Sequence, residues 1–240
     1  MVNQSKSVTQ KLYKKDAYLK VNMSTVIACT DNAVILESSV FYPLGGGQPG
    51  DTGTLSWGDQ VAQVINTTIN KTGEIQHILS DESPIPALGE TLSAAIDWDR
   101  RYLHMRMHTA LHLLGSILQY GVTGGNISTS KSRLDFDMEE PVDKERVTRN
   151  LQRLIAEDHA IHSKWISQKA LEEQPELIRT MSVKPPTTDQ DIRLLEIENI
   201  DLQPCGGTHL KSTGEVGQIR IGKVEKKGKR NRRVYIELID

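Results

Sequence analysis

Two short stretches, far apart in the chain, limit what this sequence can fold into more than any other feature. In Met107-His108-Thr109-Ala110-Leu111-His112-Leu113-Leu114, two histidines stand four apart. The surrounding apolar residues Leu103, Met107, Leu111, Leu114 and Leu118 recur at helical spacing. Residues at i and i+4 leave one helix face about 6 Å apart along the axis, so both imidazoles can reach one ion. In Cys205-Gly206-Gly207-Thr208-His209, a thiol and a further imidazole flank a Gly-Gly turn. Two nitrogens from a helix, with one sulfur and one nitrogen from a loop, make a donor set that suits zinc. Neither half is specific alone, but the four ligand types complement one another. Spacing leaves one choice open. His104 precedes His108 by the same interval, and His104 and His112 lie about 12 Å apart along a helix, too far to share an ion.

Composition bounds the rest. A chain of 240 residues, 37% hydrophobic and 25% charged, can bury a core without covalent staples. Its formal net charge of -2 means that any nucleic-acid contact must come from a local patch. Cys29 and Cys205 are its only cysteines, so no disulfide framework is expected and a reducing cytoplasm is. Cys29 ends the strand-like run Val26–Cys29 and reads as a small core residue. The stretch from Met1 to Lys15 is polar, and no run approaches the roughly 18 apolar residues of a membrane span. A soluble, cytosolic protein is expected, with no membrane partner.

From Thr25 to about Asp97 the pattern is short strands and turns. Val26–Cys29 and Val34–Glu37 flank a hairpin signal at Thr30-Asp31-Asn32-Ala33, and Thr52–Trp57, Val61–Thr67, Glu74–Leu79 and Thr91–Ile96 follow. Regular short strands predict a small β-barrel. Near Trp98-Asp99 the period switches from 2 to 3.6, which places a domain boundary there, between 1–98 and 99–240. Arg100–Tyr120 reads as a helix stopped by Gly121, Gly124 and Gly125. Ile127–Met138 reads as a strand with Leu134, Phe136 and Met138 inward. A second helix runs from about Val142 to Ala160, capped by Asp143, with Val147, Leu151, Leu154 and Ile155 as its apolar stripe. His159 and His162 at its end read as solvated. A strand at Ile161–Ile166, a helix near Gln168–Gln174, a loop at Pro185-Pro186-Thr187-Thr188 and a strand at Ile192–Ile197 come next. The fold class expected is α+β: an N-terminal barrel, then a two-layer domain with helices on an antiparallel sheet.

Within the barrel region lies Phe41-Tyr42-Pro43-Leu44-Gly45-Gly46-Gly47-Gln48-Pro49-Gly50-Asp51-Thr52-Gly53. Gly45, Gly47 and Gly50 formally match G-x-G-x-x-G. Pro49 and the strand that follows leave no helix opening there, so a dinucleotide site is excluded. What remains is either a sharp turn needing positive φ or a loop that lets substrate backbone approach, with Gln48 and Asp51 offering hydrogen-bond groups. At the other end, residues 222–233 are rich in Lys and Arg and lead into the strand Val234–Leu238. With Val216–Ile221 they read as a hairpin with a cationic tip, suited either to solvent or to a phosphate backbone.

Taken together, these motifs resemble a known family. Phe41-Tyr42-Pro43, Gly45-Gly46-Gly47-Gln48-Pro49-x-Asp51-x-Gly53, Asp97-Trp98-Asp99-Arg100-Arg101, His108-Thr109-Ala110-Leu111-His112 and Cys205-Gly206-Gly207-Thr208-His209 are similar to the editing domain of alanyl-tRNA synthetases. The resemblance is strongest to its free-standing relatives, the medium-sized AlaX trans-editing proteins, and covers nearly the whole chain. It does not extend to an aminoacylation domain, so no ligase activity is expected. It implies zinc-dependent hydrolysis of mischarged tRNA-Ala, chiefly Ser-tRNA-Ala and then Gly-tRNA-Ala. Carried over by motif, it makes His108, His112, Cys205 and His209 the metal ligands and sets His104 aside. Gln48 is then expected near the aminoacyl ester, and Gly46, Gly47 and Asp51 at the substrate. Lys226, Lys229, Arg230 and Arg232 are expected on the tRNA. Leu111 stands where many synthetase editing domains carry a hydroxyl residue, and Thr129 is the expected substitute. Thr109 occupies the place of a metalloprotease's general base, which disfavours peptidase chemistry. The competing expectation is a non-catalytic tRNA-binding module with a structural zinc; a hydrolase of small esters or amides is a third.

Overall fold

The computed structural model describes residues 9–178 and 191–239. The loop expected at Pro185–Thr188 lies outside them. The chain divides into two compact units, Met1–Gly45 with Pro49–Arg101, and Gly46–Gln48 with Tyr102–Asp240.

The first unit is a closed antiparallel barrel. Its strands are β2 (Val21–Cys29), β3 (Ala33–Leu36), β5 (Gly53–Trp57), β6 (Gln60–Ile69), β7 (Ile75–Leu79) and β8 (Thr91–Ile96), in the order β2-β3-β7-β6-β5-β8. Two short strands, β1 (Gln10–Lys11) and β4 (Ser38–Ser39), pair in parallel beside it. Alternation builds the core: Leu92, Ala94 and Ile96 of β8 point in, as do Ala62 and Val64 of β6, against Val34, Leu36 and Leu55. The expected β2–β3 hairpin forms, with Thr30 N–H donating to Ala33 O at 2.8 Å and Ala33 N–H to Thr30 Oγ1 at 3.1 Å. Cys29 departs from expectation. It is exposed at the end of β2, where its Sγ reaches Pro86 O at 3.4 Å instead of packing inside.

Gly50 and Asp51 are structural. A Cβ on Gly50 would sit 2.0 Å from Thr67 O, so only glycine allows that approach. Asp51 is wholly buried, which overturns the expectation that it presents a group to substrate. Its carboxylate accepts from Tyr42 N–H at 2.6 Å and from Arg101 Nε at 3.0 Å, and it pairs with the Arg101 guanidinium. Arg101 is itself fully buried and donates also to Ala17 O at 2.9 Å and Val40 O at 2.8 Å. Breaking such a pair by removing one partner costs about 3–5 kcal/mol, because a buried charge is left uncompensated.

The second unit contains most of α1 (Trp98–Leu118). That helix has no dry-and-wet division. Met105, Met107, Ala110, Leu111, Leu113 and Leu114 are buried, and so are His104, His108, Thr109, His112 and Ser116. It ends at Leu118, where Gln119 takes a left-handed φ of 55°. Of the three glycines expected to stop it, Gly121 lies in the link that follows, while Gly124 and Gly125 lie in a strand, β9 (Val122–Asn126), because they pair with β10 (Lys131–Asp137). The expected strand start at Ile127 is delayed: Ser128 and Ser132 close a local loop, Ser128 N–H donating to Ser132 Oγ at 3.0 Å. Phe136 and Met138 are buried as expected, while Leu134 is only half-buried. The sheet order is β14-β15-β10-β9, with β14 (Ile219–Gly228) and β15 (Asn231–Leu238) forming the basic hairpin. Val216 ends a 3-10 turn rather than opening β14.

Helix α2 (Lys144–Ala156) starts at its Asp143 cap, whose carboxylate accepts from Arg146 N–H at 3.0 Å. Its stripe of Val147, Leu151, Leu154 and Ile155 is buried, and it packs on β14, where Thr148 Oγ1 accepts from Ile221 N–H at 3.1 Å. A second sheet, β11 (Ile161–Ile166), β12 (Ile192–Ile197) and β13 (Asp201–Pro204), is antiparallel throughout. A short α3 (Gln168–Glu172) follows β11. His162 is exposed, and His159 is half-buried on Glu157, with Nε2 2.9 Å from Oε2. No helix among the described residues is long and apolar enough to cross a membrane.

The barrel buries one titratable ring of its own. His77 is fully enclosed, with Nδ1–H donating to Val34 O at 2.9 Å and Nε2 accepting from Ser39 Oγ at 2.7 Å. Burial lowers its pKa to about 4, against the small opposing pull of the Val34 carbonyl. The unfolded ring titrates near 6.5, so stability is intact above that pH, declines as pH falls from about 6.5 to 4, and levels off below. The prediction is a loss on the order of 3 kcal/mol across that window, read from urea midpoints. The His77→Gln variant should lack that segment of the curve, and an equally steep decline in it would contradict the assignment.

Candidate metal centre

Four side chains of the second unit converge. One ligand atom from each of His108, His112, Cys205 and His209 lies within 4.8 Å of the other three. Cys205 Sγ stands 3.2 Å from His209 Nε2 and 3.6 Å from His108 Nε2. Zinc bonds of about 2.3 Å to sulfur and 2.0–2.1 Å to nitrogen space tetrahedral ligands roughly 3.3–3.6 Å apart, so the cluster needs only slight closure to seat one ion. The choice that spacing left open is decided by position, since His104 is buried on α1 outside this group.

Each ring is held from behind. Gln48 Oε1 accepts from Thr208 N–H at 3.1 Å, which fixes the orientation of the amide, and Gln48 Nε2 donates to Thr208 Oγ1 at 2.8 Å. Because Oε1 is an acceptor, His108 Nδ1, 3.0 Å away, must carry the hydrogen, leaving its Nε2 lone pair for the ion. His112 Nδ1–H donates to Asp201 Oδ2 at 3.1 Å, and Gln203 Nε2 donates to the same oxygen at 2.6 Å. His209 Nδ1 lies 3.2 Å from Thr109 Oγ1, which also accepts from Leu210 N–H at 3.3 Å. The loop bearing Cys205 is clamped by Arg193, which donates to Gly207 O at 2.6 Å and Cys205 O at 3.2 Å.

Without an ion the cluster arranges its own charge. Burial opposes charge on His112, yet its hydrogen bonds to Asp201 and Cys205 hold its pKa up at about 9. Burial likewise pushes Cys205 upward, but the neighbouring imidazoles of His108 and His209 outweigh it and bring the thiol well below its ordinary range. His209 is depressed well below the usual histidine value by burial and by its histidine neighbours. The Cys205 thiolate and the neutral His209 ring are in the state a metal site requires, whereas His112 would have to release its proton to an entering ion.

The other expected site residues fall in different places. Gln48 is fully buried with both ends of its amide engaged, so it positions His108. Gly46 and Gly47 are exposed, at φ 56° and 81°, and Gly47 O accepts from Ile127 N–H at 2.9 Å. Thr129 is half-buried in the bend between β9 and β10 rather than on a strand, and it makes no hydrogen bond to the cluster among the described residues. The basic hairpin is partly neutralised: Arg230 pairs with Asp137 at 3.2 Å, and Arg232 caps the carbonyls of Gly228 and Glu139. Lys226 and Lys229 are exposed there. Asp201, Gln203, Thr109 and Arg193 had been missed. A carboxylate or hydroxyl close in space to a histidine leaves no trace in spacing, and only Thr109, between the paired histidines, sat inside a motif.

The two glycines of Cys205-Gly206-Gly207 look equivalent in sequence but are not. A Cβ on Gly207 would lie 2.2 Å from His108 Cε1 and 2.9 Å from Gln48 Oε1, while one on Gly206 meets nothing within 4 Å. The Gly207→Ala variant is therefore predicted to lose about 1–3 kcal/mol of stability in urea unfolding, and Gly206→Ala less than about 0.5 kcal/mol. Equal losses would contradict the geometry.

Comparison with other proteins gives the family. The family described as "Threonyl and Alanyl tRNA synthetase second additional domain" matches residues 192–235, which include Cys205 and His209. The family "tRNA synthetases class II (A)" matches residues 3–100. The "Alanyl-tRNA editing protein AlaX-M" of Methanosarcina mazei is 37% identical over 97% of this chain and 98% of that protein. Its namesake in Methanosarcina acetivorans is also 37% identical, over 97% of this chain and all of its own length. The "Alanine--tRNA ligase" of Ignicoccus hospitalis is 34% identical over 89% of this chain but only 24% of the ligase. Identity at this level, over nearly the whole length of both chains, makes this protein a member of the AlaX-M family of alanyl-tRNA editing proteins.

Proposed function

We propose that this chain is a zinc-dependent aminoacyl-tRNA deacylase that clears mischarged tRNA-Ala, with Ser-tRNA-Ala as its first substrate and Gly-tRNA-Ala as its second. The observation that carries the reading is the convergence of one thiol and three histidine rings, each ring held at Nδ1, in a relative of alanyl-tRNA editing proteins. His108, His112, Cys205 and His209 would hold the zinc, which when bound supplies a Lewis acid beside the ester. Hydrolysis adds water across the ester, releasing serine and leaving a free hydroxyl on the terminal ribose. Within that reaction Gln48 acts as a positioning residue, keeping His108 turned to its ligating nitrogen. The exposed Gly46–Gly47 turn is where substrate backbone would approach, and Lys226 and Lys229, with Arg230 and Arg232, would meet the phosphates of the acceptor stem. Residues 99–240 are read as the editing domain and 1–98 as the barrel domain.

A second reading keeps the zinc but not the chemistry. Four protein ligands close a site in the way structural zinc is closed, which favours a tRNA-binding module without turnover. Incubation with Ser-tRNA-Ala and Ala-tRNA-Ala separates the two. The deacylase reading predicts that the seryl ester is lost at least about 100-fold faster, since a site built around a substrate hydroxyl leaves polar groups unpaired with alanine. Binding without hydrolysis, weakening steeply with salt, would favour the module.

A further inference from the structure

The three rings of the cluster are not held alike, and the difference lies in what stands behind each one. His112 Nδ1 faces the Asp201 carboxylate at 3.1 Å, and an ionised carboxylate only accepts. His108 Nδ1 faces Gln48 Oε1 at 3.0 Å, and Thr208 N–H, donating to that oxygen at 3.1 Å, keeps the amide from turning. Both rings are therefore locked with hydrogen on Nδ1 and a lone pair on Nε2, and both stand on the long helix α1. A carboxylate behind a ring also makes that ring a stronger ligand. His209 has the weakest backing. Its Nδ1 faces a neutral hydroxyl, Thr109 Oγ1, at 3.2 Å, and a hydroxyl donates as readily as it accepts. With Thr109 O–H donating to Nδ1, the ring's own hydrogen sits on Nε2, where Cys205 Sγ lies 3.2 Å away to accept it. Two arrangements thus satisfy both nitrogens of this ring, one that ligates and one that does not. His209 also lies outside any helix or strand, in the stretch between β13 and the 3-10 turn that ends at Val216. In the same stretch Cys205 is half-buried and Gly206 exposed, so this loop borders solvent.

We infer that His209 is the exchangeable ligand of the centre, the one that leaves the ion and opens a place for an outside ligand while His108, His112 and Cys205 keep hold. The inference rests on the deacylase reading and supplies what four closed ligands would deny it, since catalytic zinc sites keep three protein ligands and one open position. On leaving, His209 turns its Nε2–H to the Cys205 sulfur and accepts from Thr109 O–H at Nδ1. The ring passes from one neutral tautomer to the other, giving a proton to water at Nδ1 and taking one from water at Nε2, so the charge of the centre is unchanged.

The test loads the full chain with cobalt(II) and adds azide, a small anion that fills an open coordination place. The visible bands of the wild type should shift on addition, and His209→Ala should bind azide more tightly, having no ring to displace. Bands that ignore azide, or equal azide affinity in the two proteins, overturn the inference. Zinc affinity, read by competition with a chromophoric chelator, identifies the yielding ligand independently. His209→Ala should keep its zinc, bound about tenfold more weakly, whereas His112→Ala should lose at least about 100-fold. Behind the rings, Asp201→Asn should cost about 10–100-fold and the isosteric Thr109→Val less than about threefold. Equal losses within either pair overturn the inference, and the second pair decides it where an alanine variant does not fold. The deacylase reading fails separately. A chain inert on Ser-tRNA-Ala whose cobalt bands answer azide keeps the exchangeable ligand and loses the deacylase, and one that hydrolyses the ester with unresponsive bands keeps only the deacylase.

Discussion

A buried imidazole has two ring nitrogens to satisfy, and the second unit gathers three such rings around one thiol. Everything at the site depends on how their Nδ1 atoms are engaged. Gln48, Asp201 and Thr109 occupy them from three different parts of the chain, which leaves the three Nε2 atoms and one sulfur facing a common point. Without those acceptors the rings could rotate or take the other tautomer, and the lone pairs would not meet. The unbroken burial of α1 from Met107 to Ser116 follows from the same demand, since the helix must bring His108 and His112 into the interior where their supports lie.

The glycine-rich loop shows how neighbouring residues in one motif divide their work. Gln48 counts with the second unit and turns His108, whereas Gly50 and Asp51 count with the barrel. In the barrel, Gly50 admits the backbone of β6, and Asp51 neutralises the buried Arg101. That pair is maintained by a full set of hydrogen bonds, the condition under which a buried charge is tolerated.

Much of this was readable in the chain itself. The barrel strands showed as short runs between turn residues, and β8, β11 and β12 span the residues expected of them. The Asp143 cap was evident because capping is a local interaction. Failures have physical causes too. Val122–Asn126 looked like punctuation because glycines carry no side-chain pattern, yet pairing with β10 makes them a strand. Asp51 looked substrate-facing because sequence cannot reveal that Arg101, fifty residues on, comes back to meet it. The four side chains that cluster were visible by type and spacing. Their supports were not, because Asp201 and Gln203 become significant only when β13 is laid beside α1.

The central claim is that these four side chains form one tetrahedral metal site. Reconstituting the metal-free protein with cobalt(II) and recording its visible and near-ultraviolet absorption tests it most directly. The account predicts one cobalt per chain, intense four-coordinate bands, and a thiolate-to-metal charge-transfer band that disappears in Cys205→Ser. A weak six-coordinate spectrum, or a charge-transfer band that survives that substitution, would contradict it.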